Sequence, residues 1–194
     1  MTHIERKQRE KEEIRQNIIN AAIKIAANEG WHSVTIRKIA DMIEYTPPIV
    51  YEYFENKDDL MKEIVYVGFD ILNVGFESAR KNEINSKEFL KAISLRQWNF
   101  AKENRELFQL MFSLERVVPN EKMKRQFELI EKCFHELAKN DEELVMEYMT
   151  NWVCLIQGAI SVLLMLKLPP PKDRTIDEEA FFIKMIERFL NSIE

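Results

Sequence analysis

Glycine occurs only four times and proline six times in this chain, while 46% of its residues are hydrophobic and 31% charged. So few turn-forming residues cannot serve the many reversals of a β-sandwich, and so much apolar side chain does not suit a disordered chain. Long helices with few connections are what remain, and the spacing of apolar residues agrees. From about Asn17 to Asn28, Ile18, Ile19, Ala22, Ile23, Ile25 and Ala26 form a helical stripe. Gly30 follows where a helix end favours a left-handed residue. Next, Thr35 precedes IRKIADMI, in which Ile36, Ile39, Ala40 and Ile43 recur at i, i+3, i+4 and i+7, so Thr35 is placed to cap a second helix. After a break at Glu44 and Tyr45, Thr46 is followed by Pro47, Pro48 and IVYEYF. Proline at the first helical positions gives up only N–H groups that lack intrahelical partners, so a short third helix starts there with Thr46 as its cap.

Asn56 with Asp59 three residues on is another start signal, opening a long apolar pattern through Leu60, Ile64, Val67, Phe69, Ile71, Leu72 and Phe76. Five further helices are expected, at about 86–103, 105–115, 119–139, 141–167 and 176–193. Pro119 opens one of them, whose stripe is Met123, Phe127, Ile130, Phe134 and Leu137; Asn140 and Asp141 separate it from the next. The prolines at 169–171 stop that helix, and Thr175 with Glu178 reads as a capping box for the last. The stretch Trp152 to Leu168 is the most apolar of the chain, yet it is shorter than the ~20 apolar residues of a membrane span and carries Gln157, Ser161 and Lys167. It reads as a buried helix, with no membrane implied.

Charge does not announce a partner. Residues 1–57 hold nine Lys or Arg and nine Asp or Glu, within a chain of net charge −5. Any nucleic-acid surface must therefore be local. Cys133 and Cys154 have no ligand partners at metal spacing, and His3, His32 and His135 are isolated, so neither metal nor disulfide framework is expected. The charged N-terminus is unlike an export signal, and a cytoplasmic location is the expectation. No phosphate loop or nucleophile elbow supports catalysis, and the acids at 141–143 suit a helix N-terminus, so no enzyme and no cofactor are expected.

Two short helices joined by a tight turn and preceded by a packing helix are the parts of a helix-turn-helix, whose second helix enters the DNA major groove. Ala40 is small enough for the helix crossing, and Val50 and Phe54 can anchor the second helix from inside. Three ordinary core helices would share this pattern, so it is the individual residues that carry the next step.

The stretch Asn17 to Leu60, with Gly30, an aromatic at 31, Thr35, Ile39-Ala40 and Tyr51-x-Tyr53-Phe54-x-x-Lys57-x-x-Leu60, resembles the N-terminal domain of TetR-family transcriptional repressors. The resemblance covers about a quarter of the chain. It implies an all-α fold with a three-helix DNA-binding domain at 1–57 and a larger helical effector-binding and dimerisation domain at 58–194. Two positions depart from the family pattern. Glu44 stands where Gly is usual in the turn, so either Glu44 takes a left-handed conformation at ~1 kcal/mol or the turn differs. Pro48 stands where a small residue is common.

By resemblance, Tyr51 and Lys57 touch the DNA backbone, and a phenol and an ammonium suit phosphate oxygens. Thr35 and Thr46, at exposed helix starts, can bind phosphate as well as cap, and Arg37 and Lys38 add charge. Pro47, Pro48 and Ile49 offer only apolar contact, suited to thymine methyls. Tyr45, Glu52 and Tyr53 complete the base-reading candidates; the Tyr53 ring serves equally well as core packing. Arg6, Lys7, Arg9, Lys11 and Arg15 mix with four glutamates, which reads as a solvated helix extension rather than a DNA-gripping arm.

Effector candidates are Phe69, Trp98, Phe108, Met111, Phe112, Phe127, Phe134 and Trp152, with Gln157, Ser161, Arg96 and Asn99 as polar groups; each aromatic is also an ordinary core residue. Such a pocket suits a small, largely apolar organic molecule. The last two helices are apolar on more than one face, with small residues at Gly158, Ala159 and Ser161, and two-fold pairing into a homodimer would cover the excess. The expected function is a dimeric repressor on a palindromic DNA operator, released by an effector. The alternative is a DNA-binding protein of the same fold without small-molecule control.

Overall fold

The computed structural model describes residues 3–82, 85–113, 118–166 and 176–193, which form nine α-helices and no strand. They are α1 (His3–Glu29), α2 (Ile36–Met42), α3 (Pro47–Tyr51), α4 (Lys57–Asn82), α5 (Ser86–Glu103), α6 (Arg105–Met111), α7 (Glu121–Leu137), α8 (Glu142–Ile160) and α9 (Glu178–Ser192). A 3-10 turn at Trp31–Ser33 follows α1, and a π-helical turn at Ser161–Met165 prolongs α8. Two compact units result. One is Met1–Gly68 with Glu106–Val117, the other Phe69–Arg105 with Val118–Glu194.

The first unit is built on the stripe expected of α1: Ile18, Ile19, Ala22, Ile25 and Ala26 are buried with Val34, Ile39, Ala40, Val50, Phe54, Leu60 and Ile64. Trp31 donates its indole N–H to the Glu106 carbonyl at 2.8 Å, tying the turn after α1 to α6. Gly68 is needed for packing, since a Cβ there would lie 2.4 Å from Met111 Sδ. In the second unit, Trp98 stacks on Phe182 at 4.7 Å and Phe134 meets Trp152 edge-on at 5.8 Å. The Trp152 indole N–H donates to Ser94 Oγ at 3.1 Å, and that hydroxyl donates to the Leu90 carbonyl at 2.7 Å. A buried indole and a buried hydroxyl thereby satisfy each other.

Several helix ends differ from expectation. α1 starts at His3, so the mixed-charge segment before Asn17 is the helix extension its residues suggested. Its first turns are Glu, Arg, Lys and Gln, all good helix formers without Gly or Pro, reinforced by the Arg6–Glu10 ion pair at 2.8 Å and by Gln16 donating to Asn20 at 3.1 Å. Gly30 has a positive φ of 80° with ψ 162°, an extended conformation open to glycine rather than the left-handed helical one. α7 is capped by Asn120, whose Oδ1 accepts from the Met123 N–H at 2.9 Å, rather than opened at Pro119. α9 is capped by Asp177, accepting from the Ala180 N–H at 3.0 Å; Thr175 and the prolines at 169–171 lie outside the described residues.

The stretch read as a buried helix is only partly so. Val153, Val162 and Leu166 are exposed, as is Phe181 on α9. By length and composition the run Glu142–Met165 could cross a bilayer. Its first turn carries Glu142 and Glu143, however, and it packs against α5, α7 and α9. The exposed side is an apolar face of a bundle helix.

Candidate nucleic-acid interface

The turn between α2 and α3 is set by a helix end with two diagnostic bonds. The Tyr45 N–H donates to the Ala40 carbonyl at 2.9 Å and the Glu44 N–H to the Asp41 carbonyl at 3.4 Å, the pattern of a Schellman motif. That motif needs a left-handed residue between its two donors, and Glu44 has φ 61°. Glu44 therefore carries the strain that Gly would avoid, of about 1 kcal/mol.

α2 begins at Thr35, whose Oγ1 accepts from the Lys38 N–H at 3.2 Å. Thr46 also precedes a helix with extended backbone, yet its side chain makes no capping bond. Pro47 and Pro48 have no N–H to offer, and the first free one, from Ile49, goes to the Thr46 carbonyl at 3.0 Å. The Thr46 hydroxyl stays available at an exposed position. The next helix start works as its sequence suggests: the Asp59 N–H donates to Asn56 Oδ1 at 2.9 Å, and Asp59 Oδ2 accepts from the Glu55 N–H at 3.2 Å.

These caps leave one surface. Arg37, Lys38, Tyr45, Thr46, Pro48, Tyr51, Glu52 and Lys57 are exposed with Thr35; Pro47, Ile49 and Tyr53 are half-buried. Beneath them Val50 and Phe54 are buried and fix the rotation of α3. The cations differ in availability. Lys38 is held by Glu29 at 2.6 Å, which keeps the Glu29 carboxyl below its ordinary value. Among the described residues no carboxylate lies within ion-pair distance of Arg37 or Lys57. The Tyr53 phenol is pushed up by burial and then by the charges of Glu52 and Tyr45, so it stays a hydrogen-bond donor at neutral pH.

Arg15 is a member of this site that local spacing does not reveal. Its guanidinium lies 5.3 Å from the centroid of the Phe54 ring and pairs with Glu63 on α4. In the sequence it stands among mixed charges, and its partners are 39 and 48 residues away (54 minus 15; 63 minus 15).

The effector candidates fall in both units. Phe108 and Phe112, with ring centroids 4.5 Å apart, and Met111 belong to the first; Phe69, Trp98, Phe127, Phe134, Trp152 and Gln157 belong to the second. Trp98, Phe108, Met111, Phe134 and Trp152 are buried, whereas Phe127 is 49% exposed on α7. The Trp98 indole donates to Glu179 at 3.3 Å beside a cleft of about 440 Å³ that is also lined by Lys102, Asp177, Glu178 and Ile183. This cleft is polar. Among the described residues of the second unit, three buried polar atoms have no partner: Asn73 Oδ1, Arg96 Nε and Gln97 Oε1. Asn73 and Gln97 were not among the sequence candidates, because an unmet hydrogen bond is visible only in three dimensions.

A short helix fixed from inside, flanked by capped helix starts and presenting exposed phenol, hydroxyl and cationic groups, defines a helix-turn-helix protein. Residues 18–64 match the profile of the bacterial regulatory proteins of the tetR family. The HTH-type transcriptional regulator HbdR of Aromatoleum sp. (strain CIB) is 38% identical over 50 residues, 26% of this chain and 22% of that regulator, so the likeness to it spans about a fifth of its length. The fold extends over nearly the whole chain. The fatty acid degradation regulator FadR from Bacillus halodurans superposes with a TM-score of 0.69 at 19% identity, covering 91% of this chain and 94% of that one. AibR, solved in complex with isovaleryl coenzyme A and operator DNA, gives 0.62 at 14% identity, covering 92% and 97%. Residues 18–64 thus carry the DNA-binding domain of the tetR family of regulators, and over the rest of the chain the likeness to such regulators is one of fold.

Proposed function

We propose that the chain is a ligand-responsive repressor that binds a palindromic operator as a homodimer in the cytoplasm, without catalytic activity. The observation that carries the reading is the exposed group on and around α3: Thr46, Tyr51 and Lys57 at the edges with Tyr45, Pro48, Ile49 and Glu52 between them. Phosphate contacts at the edges position such a helix, and the residues between them read bases. The apolar side of α8 and α9, with Val153, Val162 and Phe181 exposed, supports pairing of two copies. Gly158 adds to this, because a Cβ there would meet nothing within 4 Å in a single copy. The boundary that serves this function puts DNA binding in 1–57 and effector binding with dimerisation in 58–194.

The effector we infer is a largely apolar organic molecule with a polar group. The interior of the second unit is aromatic, and the unpartnered atoms of Asn73, Arg96 and Gln97 offer an acceptor, a donor and an acceptor to such a group. A buried polar atom left unpaired costs about 1 to 3 kcal/mol, which a ligand would recover. The packing of Trp98 on Phe182 and of Phe134 on Trp152 favours the alternative, a regulator without small-molecule control. Selection from random duplexes tests the DNA reading: enrichment of a palindrome whose half-sites are centred ~34 to 36 Å apart, or a multiple, is expected. Unenriched or asymmetric pools would overturn it. A tryptophan-quenching screen of apolar and amphipathic compounds, with hits retested for loss of DNA binding, decides between the two forms of control.

A further inference from the structure

α1 spans the helix-turn-helix from end to end. Near its C-terminus Glu29 pairs with Lys38 on the first turn of α2, and near its middle Arg15 lies over Phe54 at the corner between α3 and α4. These anchors are 14 residues apart (29 minus 15), or about 21 Å of helix. Beyond Arg15 the helix runs on to His3, and every residue from His3 to Glu13 is exposed. Nothing in the unit buries this extension, so its surface chemistry is what it offers.

That chemistry is sorted by side. At about 100° per residue, Glu5, Glu10, Glu12 and Glu13 share one arc of about 160° with Arg6 and Arg9. Lys7 and Lys11 lie on the other side, on the stripe that continues through Arg15, with Ile4 and Gln8 beside Arg15 and no acid. Arg6 pairs with Glu10, whereas among the described residues no carboxylate is within ion-pair distance of Lys7 or Lys11. A charge-balanced segment thus presents one purely cationic face. The stripe runs back to the end of the helix-turn-helix, where Arg15 lies over the buried Phe54 ring, three residues before the exposed Lys57.

We propose that the Lys7–Lys11 face binds phosphates of duplex DNA just outside the half-site read by α3. This rests on the DNA-binding reading and extends its footprint. Lys11 and Lys7 stand one and two turns beyond Arg15, roughly 6 and 12 Å along the helix, which corresponds to about two to four base pairs. Because the contact is to backbone, it adds affinity without adding sequence preference.

The test uses the full chain with Lys7→Ala and Lys11→Ala together, titrated over a range of salt against a long mixed-sequence duplex and against the selected operator. Alanine keeps the helix, which circular dichroism checks. The expected result is a plot of log affinity against log salt that is shallower by about 3.6, from two lost phosphate contacts in each protomer of the dimer, with base preference unchanged. Hydroxyl-radical footprints should shorten at both outer edges. Glu5→Gln with Glu12→Gln, on the opposite side, should leave the footprint edges in place. Wild-type binding with an unchanged slope and footprint in the double variant would overturn the proposal while leaving the DNA reading intact. A wild type that binds neither duplex would remove both.

Discussion

The guanidinium of Arg15 sits over the ring of Phe54, 5.3 Å from its centroid, while it pairs with Glu63. One side chain of α1 thereby holds the residue that ends the recognition segment and the helix that follows it. Replacing Arg15 with Ala removes the cation–π contact, the ion pair and the packing of the aliphatic stem, an expected loss of about 1 to 2 kcal/mol. Urea denaturation measures it. Arg15→Lys should recover only part of the loss, because an ammonium cannot stack its plane on the ring while pairing with a carboxylate.

Glu44 at φ 61° makes the opposite prediction. Glu44→Gly frees the Schellman position of its Cβ penalty and should stabilise the first unit by about 0.5 to 1 kcal/mol, after the added chain entropy of glycine is offset. Glu44→Ala, which keeps the Cβ, should not. Paired thermal melts distinguish them.

Lys57 and Ile49 should separate affinity from preference. If its ammonium meets a phosphate as proposed, Lys57→Ala is expected to weaken binding to all sequences alike and to lower the salt slope by about one per protomer, about two for the dimer. Ile49→Ala removes an apolar group proposed to meet thymine methyls and should change the selected half-site instead. Repeating the duplex selection with each variant reads both effects.

Gly158 separates folding from assembly. In a single copy a Cβ there meets nothing within 4 Å, so Gly158→Ala should raise helix stability by about 0.5 to 1 kcal/mol. In the proposed dimer the same methyl group stands where two helices approach. Sedimentation equilibrium should show weaker association for Gly158→Ala and loss of it for Val162→Glu, which buries an unpaired charge. A wild type that is monomeric at micromolar concentration would contradict the assembly.

Tyr53 gives a pH dependence. Its phenol is raised above the ordinary value of 10.0, first by burial and then by Glu52 and Tyr45. The folded state therefore holds the proton more tightly than the unfolded one, and the associated stability is complete below the unfolded value and lost as pH rises through the folded one. Alkaline titration of stability should fall more steeply for the wild type than for Tyr53→Phe above that ordinary value. Equal slopes would show that the ring position carries no such linkage.

Helix content, the three start signals at Thr35, Thr46 and Asn56, and the buried anchors Ala40, Val50 and Phe54 were all legible in the sequence. They depend on interactions within a few residues, where period and capping chemistry act. The sequence alone also limited Glu44 to two outcomes, and the bonds from Tyr45 and Glu44 back into α2 selected the left-handed one.

Tertiary structure decided everything that needs two distant segments at once. Lys38 was taken up by Glu29 on α1, and Arg15 found Phe54 and Glu63. Phe127 came to the surface although it keeps the helical period of its stripe, and Val153 and Val162 stayed uncovered in a stretch apolar enough to be core. Periodicity says which side chains share a face of one helix. Only the packing of the other helices determines which of those faces is covered, and by what.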